Sequence, residues 1–169
     1  MYAGDERSPH LSMQLKDKQE ISLGTLKIHC IHTPCHTTGH FCFFVQSQQE
    51  KALFTGDTLF LCGCGRFFEG NAQDMYSSLQ KLMSLPDETK VYPGHEYTLK
   101  NYMFARSVDA NNSILNEKYN ELIGLDHVQS VPGSIKFEKQ TNPFIKLVFK
   151  DAEPVKKLAE LRAMKDTFQ

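Results

Sequence analysis

Three side chains with metal-ligand chemistry each follow a segment that has strand character. They are His36, Asp57 and His95. Functional groups in layered α/β folds collect in the loops where strands end. Neutral imidazole and carboxylate are ligands that zinc and other divalent transition metals bind. The three groups therefore predict a metal site at one edge of one sheet.

Each group also has a simpler explanation. A single histidine at a strand end is more often a hydrogen-bonded residue than a ligand, and turn chemistry explains Asp57 equally well when it is viewed alone. His36 and His40 have the i, i+4 spacing of two ligands on a helix, but Pro34 and Gly39 oppose a helix there. We therefore expect a loop that carries His36 as a ligand and His40 as a hydrogen-bonding support. The other histidines are expected to be structural or solvated: His10, His29, His32 and His127.

Strands are predicted mainly in the first third of the chain. Residues 21–32, 41–46 and 51–55 have the apolar patterns of strands, and their spacing suits hairpins. A further short strand is predicted at 90–92, where Pro93 and the following glycine break it.

Helices are predicted from the middle of the chain onward. Asn71 is a suitable N-cap for a helix that ends before Pro86, and apolar residues recur on one face between them. Strands come first, strand and helix then alternate, and helices dominate at the end, so the fold class is α/β or α+β. Further helices are predicted at about 96–107, 112–124 and 153–166.

Composition excludes several classes of protein. With 169 residues, 40% hydrophobic and 23% charged, the chain fits one globular domain, or the remnant of a larger one, better than a disordered or fibrous protein. It contains 19 basic and 20 acidic residues, so it lacks the excess of positive charge that is typical of nucleic-acid-binding domains. No apolar run approaches the ~20 residues of a membrane helix. An odd count of five cysteines without an export signal predicts reduced thiols and a cytosol-like compartment.

Six segments carry a resemblance to a known family. Three surround the candidate ligands: 33–40 (TPCHTTGH), 54–60 (FTGDTLF) and 92–97 (YPGHEY). Three lie elsewhere: 63–70 (GCGRFFEG), 141–144 (TNPF) and 162–168 (RAMKDTF). Together they resemble the hydroxyacylglutathione hydrolase (glyoxalase II) family of the metallo-β-lactamase superfamily along nearly the whole chain. The last three segments are more specific than the metal motifs, which the superfamily shares across many chemistries.

The resemblance implies an architecture and two regions. The chain would be part of a metallo-β-lactamase αβ/βα sandwich, followed by a helical glutathione-binding segment. We place the boundary between residues 1–105, the C-terminal part of the metallo-β-lactamase-like domain, and residues 106–169.

The resemblance also implies a reaction. Two divalent metal ions, zinc in the first place with iron or manganese as alternatives, would share the catalytic residue Asp57, with His36 on one and His95 on the other. A hydroxide held between them would attack the thioester carbonyl of an S-2-hydroxyacylglutathione. In the family's main case, S-D-lactoylglutathione gives glutathione and D-lactate, a step of methylglyoxal detoxification.

Five residues match the family's glutathione contacts. Arg66, Arg162 and Lys165 would bind carboxylates, and Tyr97 would contact glutathione. Phe68 stands where the family often has tyrosine, so one hydroxyl contact is expected to be missing. Without the resemblance, Arg162 and Lys165 would be interpreted as a solvated helix face.

One family motif has no counterpart in these 169 residues. The family begins with Thr-His-x-His-x-Asp-His, which supplies further ligands to both metals. We therefore expect a fragment, an alternative-start product or a shortened paralogue, with underliganded metals and uncovered apolar sheet surface. Whether this chain acts alone stays open, and the alternatives are a binding or regulatory remnant and a glutathione persulfide dioxygenase with one iron. We expect a cytoplasmic or mitochondrial-matrix protein that is monomeric when complete.

Overall fold

A six-stranded mixed sheet forms the centre of the protein. The structure is a computed structural model that describes residues 1–123 and 130–168. The strands, in sheet order, are β10 (Gly133–Ser134), β9 (Lys90–Pro93), β6 (Lys51–Gly56), β5 (Phe41–Gln46), β4 (Leu26–His32) and β3 (Glu20–Leu23). The strands predicted at 41–46, 51–55 and 90–92 are confirmed, the last two with one residue more.

Strand direction brings three carboxyl ends to one side of the sheet. β6 and β9 are parallel neighbours, whereas β4 pairs antiparallel with β5, and β5 pairs antiparallel with β6. β4, β6 and β9 therefore all run in the same direction. The loops that follow these strands emerge at one edge of the sheet, which we call the site edge.

The strand expected over residues 21–32 is a hairpin instead. β3 and β4 pair antiparallel, with Leu23 opposite Leu26, so only two residues connect them. Gly24 adopts a φ of +59° in this turn. A left-handed backbone costs glycine little, and a two-residue turn with glycine is a common hairpin connection. The single-strand prediction was wrong because it passed over this turn.

Helix α1 (Ala72–Met83) provides much of the core. The Asn71 side chain accepts the N–H groups of Gln73 and Asp74, and the Asp74 carboxylate accepts the Asn71 N–H, which completes a capping box. The apolar face predicted from the sequence is fully packed, and Leu79 is completely buried. Three further predicted helices are present as α2 (Thr98–Val108), α3 (Ser113–Ile123) and α6 (Pro154–Thr167), although residue 124 lies outside the described residues.

Short elements complete the fold, and the sequence did not predict them. Elements of two to seven residues are too short to show a reliable apolar period. They are β1 (Tyr2–Ala3), β2 (Met13–Gln14), β7 (Leu59–Phe60), β8 (Gly63–Cys64), α4 (Ile135–Thr141), α5 (Pro143–Lys146) and a 3-10 turn at Val148–Lys150.

The two faces of the sheet differ in burial. On one face, Leu53 and Val91 are fully buried in the core that includes α1. On the other, Phe43, Phe54 and Tyr92 lie opposite one another on adjacent strands, and Phe54 is 46% exposed. The expected uncovered apolar surface is found at this aromatic row.

The remaining expectations concern the chain as a whole. All five cysteines are buried. None of them forms a disulfide, in agreement with the predicted reduced thiols. Within the described ranges, no helix is both long and apolar enough to cross a membrane. The boundary predicted after residue 105 falls inside α2 and stays a prediction.

Candidate active site

Asp57 follows β6 through a turn that requires glycine. Gly56 has a φ of +48°, and a Cβ at that position would lie 2.6 Å from Nε2 of His40. The same Nε2 accepts the backbone N–H of Asp57 at 3.2 Å. The turn and the imidazole together fix the backbone from which the Asp57 carboxylate projects at the site edge.

His40 is a half-buried hydrogen-bonding support, as the sequence predicts. Its Nδ1 lies 2.8 Å from the Thr33 hydroxyl and 3.0 Å from the Thr58 hydroxyl. Burial lowers the pKa of His40 to about 4, so the ring is neutral near pH 7. Because Nε2 accepts the N–H of Asp57, Nδ1 carries the proton and donates to a threonine. One neutral tautomer thus ties the end of β4, the start of β5 and the turn after β6 together.

His36 and His95 lie on either side of the Asp57 carboxylate. His36 Nε2 is 3.3 Å from Oδ2, and His95 Nε2 is 3.4 Å from Oδ1. The other ring nitrogen of His36, Nδ1, lies 3.1 Å from the Arg66 carbonyl oxygen, which holds the ring and leaves Nε2 directed at Asp57. The three strand-end groups are therefore brought together, and each histidine faces a different carboxylate oxygen.

One oxygen of the Asp57 carboxylate accepts no hydrogen bond. Oδ1 is buried, has no hydrogen-bond partner among the described residues, and is approached by His95 Nε2 at 3.4 Å. A buried anionic oxygen without a partner is costly, and a cation would compensate it. The donor set of two imidazoles and one carboxylate fits a divalent transition metal. Within residues 1–123 and 130–168, no three His, Cys, Asp or Glu side chains lie close enough together to hold a single metal ion.

A cavity of about 500 Å³ opens beside Asp57. The candidate metal ligands and the candidate substrate contacts both line this cavity. Phe68 lies over His36 with ring centroids 4.9 Å apart and is 65% exposed. Tyr97 stacks on His95 at 5.2 Å and is 48% exposed. All eight predicted site residues line the cavity: His36, Asp57, Arg66, Phe68, His95, Tyr97, Arg162 and Lys165.

Arg162 is more buried than a solvated helix face would allow. It is 7% exposed, and its Nη1 donates to the Cys64 carbonyl at 2.8 Å. Asp166 Oδ1 accepts from Arg162 Nη2 at 3.0 Å and from Arg66 Nε at 3.2 Å. The solvated-face interpretation is therefore wrong for Arg162, whose guanidinium holds β8 against α6 as well as lining the cavity.

Lys165 is also partly withdrawn from solvent. Its Nζ donates to the Lys100 carbonyl at 3.0 Å. Burial, together with the adjacent Arg162 charge, lowers the pKa of Lys165 to about 8. The ammonium group is therefore held in the cavity wall rather than extended into water.

Sequence reasoning missed several cavity residues. Asp166 had a detectable signal, because it lies four residues after Arg162 on a predicted helix and within the quoted 162–168 segment. Lys100 and Asn101 had weaker signals, since they lie one helical turn beyond Tyr97. The full additional set is Phe60, Cys64, Lys100, Asn101, Asp166 and Phe168.

The other histidines have structural surroundings where they are described. His29 pairs with Glu20 at 3.1 Å, and the His32 ring lies 2.9 Å from the Thr38 carbonyl oxygen. These contacts agree with the expected structural role. His127 lies outside the described residues.

Two family models divide nearly the whole chain between them. Residues 14–95 match the metallo-beta-lactamase superfamily, and residues 96–168 match the hydroxyacylglutathione hydrolase C-terminus. Among solved structures, the chain is similar to ETHE1 from Myxococcus xanthus, with a TM-score of 0.66, 25% identity, and coverage of 96% of this chain and 56% of that one. It is also similar to TTHA1623 in a di-iron-bound form, with a TM-score of 0.51 and 25% identity over 80% of this chain and 50% of that one.

Curated relatives give the same result at higher identity. A probable hydroxyacylglutathione hydrolase of Schizosaccharomyces pombe is 41% identical over 98% of this chain and 67% of its own length. This chain spans about two thirds of the length of the curated relatives that it matches, from 64% to 67%. By these matches the chain belongs to the hydroxyacylglutathione hydrolase family, a family of thioester hydrolases with the metallo-beta-lactamase fold.

Proposed function

We propose that this chain forms a thioester-hydrolysing site for S-2-hydroxyacylglutathiones, with S-D-lactoylglutathione as the main substrate. One observation carries the proposal: the Asp57 carboxylate lies between two histidines in a cavity that Arg66, Arg162 and Lys165 also line. A glutathione thioester has its reactive carbonyl and its carboxylates at separate places. A cavity lined both by metal-binding groups and by cations fits such a molecule.

His36, Asp57 and His95 would hold the metal. We propose two divalent ions, zinc in the first place and iron or manganese as alternatives, with Asp57 shared between them. When bound, divalent ions at such a site supply a water of lowered pKa and polarise the carbonyl. The buried Oδ1 of Asp57, which accepts no hydrogen bond from the described residues, supports this assignment. Catalytic zinc normally takes about three protein ligands, so these three groups underfill two positions, and we expect weak, substoichiometric zinc uptake by this chain alone.

The chain's own residues orient these groups. His40 fixes the backbone of Asp57, and the Arg66 carbonyl holds His36 through Nδ1. No serine or cysteine nucleophile is needed, and all the cysteines are buried. The protein's contribution to the reaction is therefore the placement of the carboxylate and the two imidazoles relative to the thioester.

The cationic end of the cavity, lined by Arg66, Arg162 and Lys165, would bind the peptide part of the substrate. The side chains of Arg66 and Lys165 can donate charge-assisted hydrogen bonds to carboxylates. The partly exposed rings of Phe68 and Tyr97 supply apolar surface between the two ends. Glutathione and D-lactate would be the products. We propose methylglyoxal detoxification as the role, and the cytoplasm or the mitochondrial matrix as the location. We propose that the complete enzyme is a monomer.

A second candidate is a binding protein for glutathione conjugates without hydrolysis. The observation in its favour is that the cationic end of the cavity is built from α6 and the 65–70 loop, which need no metal for their contacts.

Two measurements on the same chain separate the candidates. Hydrolysis of S-D-lactoylglutathione is followed with saturating zinc, and binding of S-methylglutathione is measured by calorimetry with and without zinc. Hydrolysis that Asp57→Asn abolishes supports the thioesterase, whereas binding without any hydrolysis supports the binding protein. Oxygen consumption with glutathione persulfide, in the absence of thioester hydrolysis, would instead point to a dioxygenase. A chain that neither binds nor hydrolyses would overturn both candidates.

A further inference from the structure

Two loops that carry predicted site residues lie against each other at the site edge. The ligand loop, residues 33–40, carries His36, and the substrate loop, residues 65–70, carries Arg66 and Phe68. His36 touches both of these residues, since its Nδ1 lies 3.1 Å from the Arg66 carbonyl and its ring lies 4.9 Å from the Phe68 ring. The relative position of the two loops therefore determines both the direction of a predicted ligand and the wall of the cavity.

Glu69 links the two loops through its backbone and its side chain. Its N–H donates to the Cys35 carbonyl at 3.0 Å. One of its carboxylate oxygens, Oε2, accepts the Thr38 N–H at 2.6 Å and the Thr38 hydroxyl at 3.0 Å. The residues that Glu69 contacts on the ligand loop therefore flank His36 on both sides.

Arg7 closes the same cluster from the N-terminal part of the chain. Its guanidinium donates to Oε1 of Glu69 at 2.5 Å and to Oε2 at 3.0 Å, which is a bidentate pair. It also donates to the Thr38 hydroxyl at 3.1 Å and to the Asp5 carboxylate at 2.6 Å. Three segments that are distant in sequence are thus joined through one carboxylate.

We propose that Glu69, with Arg7 as its counter-ion, is a positioning residue that fixes the position of the ligand loop relative to the substrate loop. The inference rests on the proposed function, because it concerns the metal and glutathione-conjugate affinity of that same site. Glu69 touches neither the metal-ligand atoms nor the cavity; it acts through Thr38 and Cys35 on His36, and through its own backbone on Phe68.

The number and kind of contacts distinguish this pair from an ordinary surface ion pair. Most exposed pairs contribute little, because two long side chains are ordered for one screened contact. Here a single carboxylate accepts four hydrogen bonds, one of them from the backbone N–H of Thr38, two residues after His36 in the loop. Outer-shell partners that orient a ligand act on metal affinity rather than mainly on global stability.

The test compares three variants of the 169-residue chain. Glu69→Gln keeps the shape of the side chain and removes its charge, and Arg7→Gln removes the counter-ion but leaves the Thr38 contacts. Glu88→Gln is the matched control, because Glu88 forms an exposed pair with Lys51 at 2.5 Å at the opposite end of β6. Zinc affinity is measured by competition with a chromophoric chelator, S-methylglutathione affinity by calorimetry, and global stability by the urea midpoint.

We expect a graded result. Glu69→Gln should weaken zinc binding by about 3–10-fold, less than the roughly 10–100-fold lost with a partner bonded directly to a ligand, because Glu69 acts through Thr38 and Cys35. It should weaken S-methylglutathione binding as well, because Phe68 shares its loop. Arg7→Gln should have an intermediate effect, and Glu88→Gln should stay within about twofold of the unchanged chain, as expected for a surface pair.

Each other outcome has a definite meaning. If Glu69→Gln and Glu88→Gln bind zinc within about twofold of each other, the positioning role is overturned. If Glu69→Gln also lowers the urea midpoint well below that of the control, Glu69→Asp decides. That variant keeps the charge but is one methylene too short to reach Thr38, so wild-type zinc affinity in it would overturn the inference. An unchanged chain that takes up neither zinc nor S-methylglutathione overturns the proposed function itself.

Discussion

The two ends of the cavity are built in different ways. At the site edge, the backbone and the buried hydroxyls of Thr33 and Thr58 position Asp57 through the half-buried ring of His40. At the cationic end, long side chains provide the charge, and their exposure is graded. Arg162 is 7% exposed, Lys165 is half-buried, and the side chain of Arg66 is 59% exposed.

The difference follows from what each end has to bind. Metal coordination tolerates only small errors in ligand position, so its ligands need rigid support. Carboxylates of a flexible peptide can be met by charges that adjust on binding. We therefore expect substitutions at the site edge to have larger effects, and to act on metal uptake, while substitutions at the cationic end act on substrate affinity.

The largest effect is expected for Asp57→Asn. The amide keeps the shape of the side chain but cannot offer an anionic oxygen to both histidine-flanked positions. Zinc affinity should fall by more than about 100-fold, beyond the usual effect of losing an outer-shell partner. Chelator competition measures it, with Asp87→Asn as control because Asp87 pairs with Lys139 at 2.6 Å on the surface. Equal zinc affinity in both variants would remove Asp57 from the metal site.

His40→Phe tests whether the hydrogen bonds of His40 to Thr33, Thr58 and the Asp57 N–H hold the site edge in place. The substitution leaves the Asp57 N–H without its acceptor, so the free energy of unfolding should fall by about 1–3 kcal/mol. Zinc affinity should fall by about 10–100-fold through the displaced carboxylate. Urea unfolding and chelator competition measure the two quantities. His40→Gln should restore part of both, because its amide oxygen can accept the same N–H; no recovery would argue against that hydrogen bond.

Ligand binding at the cationic end should depend on pH through Lys165. Lys165 has a pKa lowered to about 8, so its positive charge is present below that pH and is lost as the pH rises through it. Affinity for S-methylglutathione, measured by calorimetry, should therefore fall between about pH 6.5 and pH 9.5. Binding of a carboxylate favours the charged form, so the midpoint in the complex should lie above that of the free chain.

Lys165→Met should remove this pH dependence. At about pH 7 it should weaken binding by about tenfold or more, the effect of losing one charge-assisted hydrogen bond. Lys156→Met is the control on the same helix, since Lys156 is exposed and pairs only with Glu153 among the described residues. A pH dependence that survives in Lys165→Met would assign the titration to another group.

The smallest effect is expected for Phe68→Tyr. The added hydroxyl would supply the contact that the family resemblance predicts to be absent, at a residue that is 65% exposed beside the cavity. A neutral hydrogen bond should raise S-methylglutathione affinity by about twofold to tenfold. Phe149→Tyr, at an exposed aromatic residue that is not among those lining the cavity, serves as the control. Unchanged affinity in Phe68→Tyr would mean that the hydroxyl does not reach the ligand.

Local signals explain which elements could be predicted. The helix after Asn71 was predictable because its cap, its apolar face and Pro86 all lie within one short segment. The short helices α4 and α5 were not, because they depend on burying residues such as Ile135 and Phe144, which are both fully buried in the core. The β3–β4 turn carried a signal in Gly24, but alternating apolar residues on both sides obscured it.

The sequence by itself determined the chemistry of the site. Imidazole and carboxylate at strand ends predicted a metal-binding edge, because this property depends on residue type and on position within an element. The anion-binding role of Arg162 and Lys165 was predicted only through the family resemblance. Only the tertiary structure decided the partners: that Asp57 faces a different histidine with each oxygen, that Arg162 is buried beside Cys64, and that Glu69 connects two loops. Such contacts join residues from 21 to 98 positions apart. They follow from strand direction and helix packing, which no local pattern in the sequence specifies.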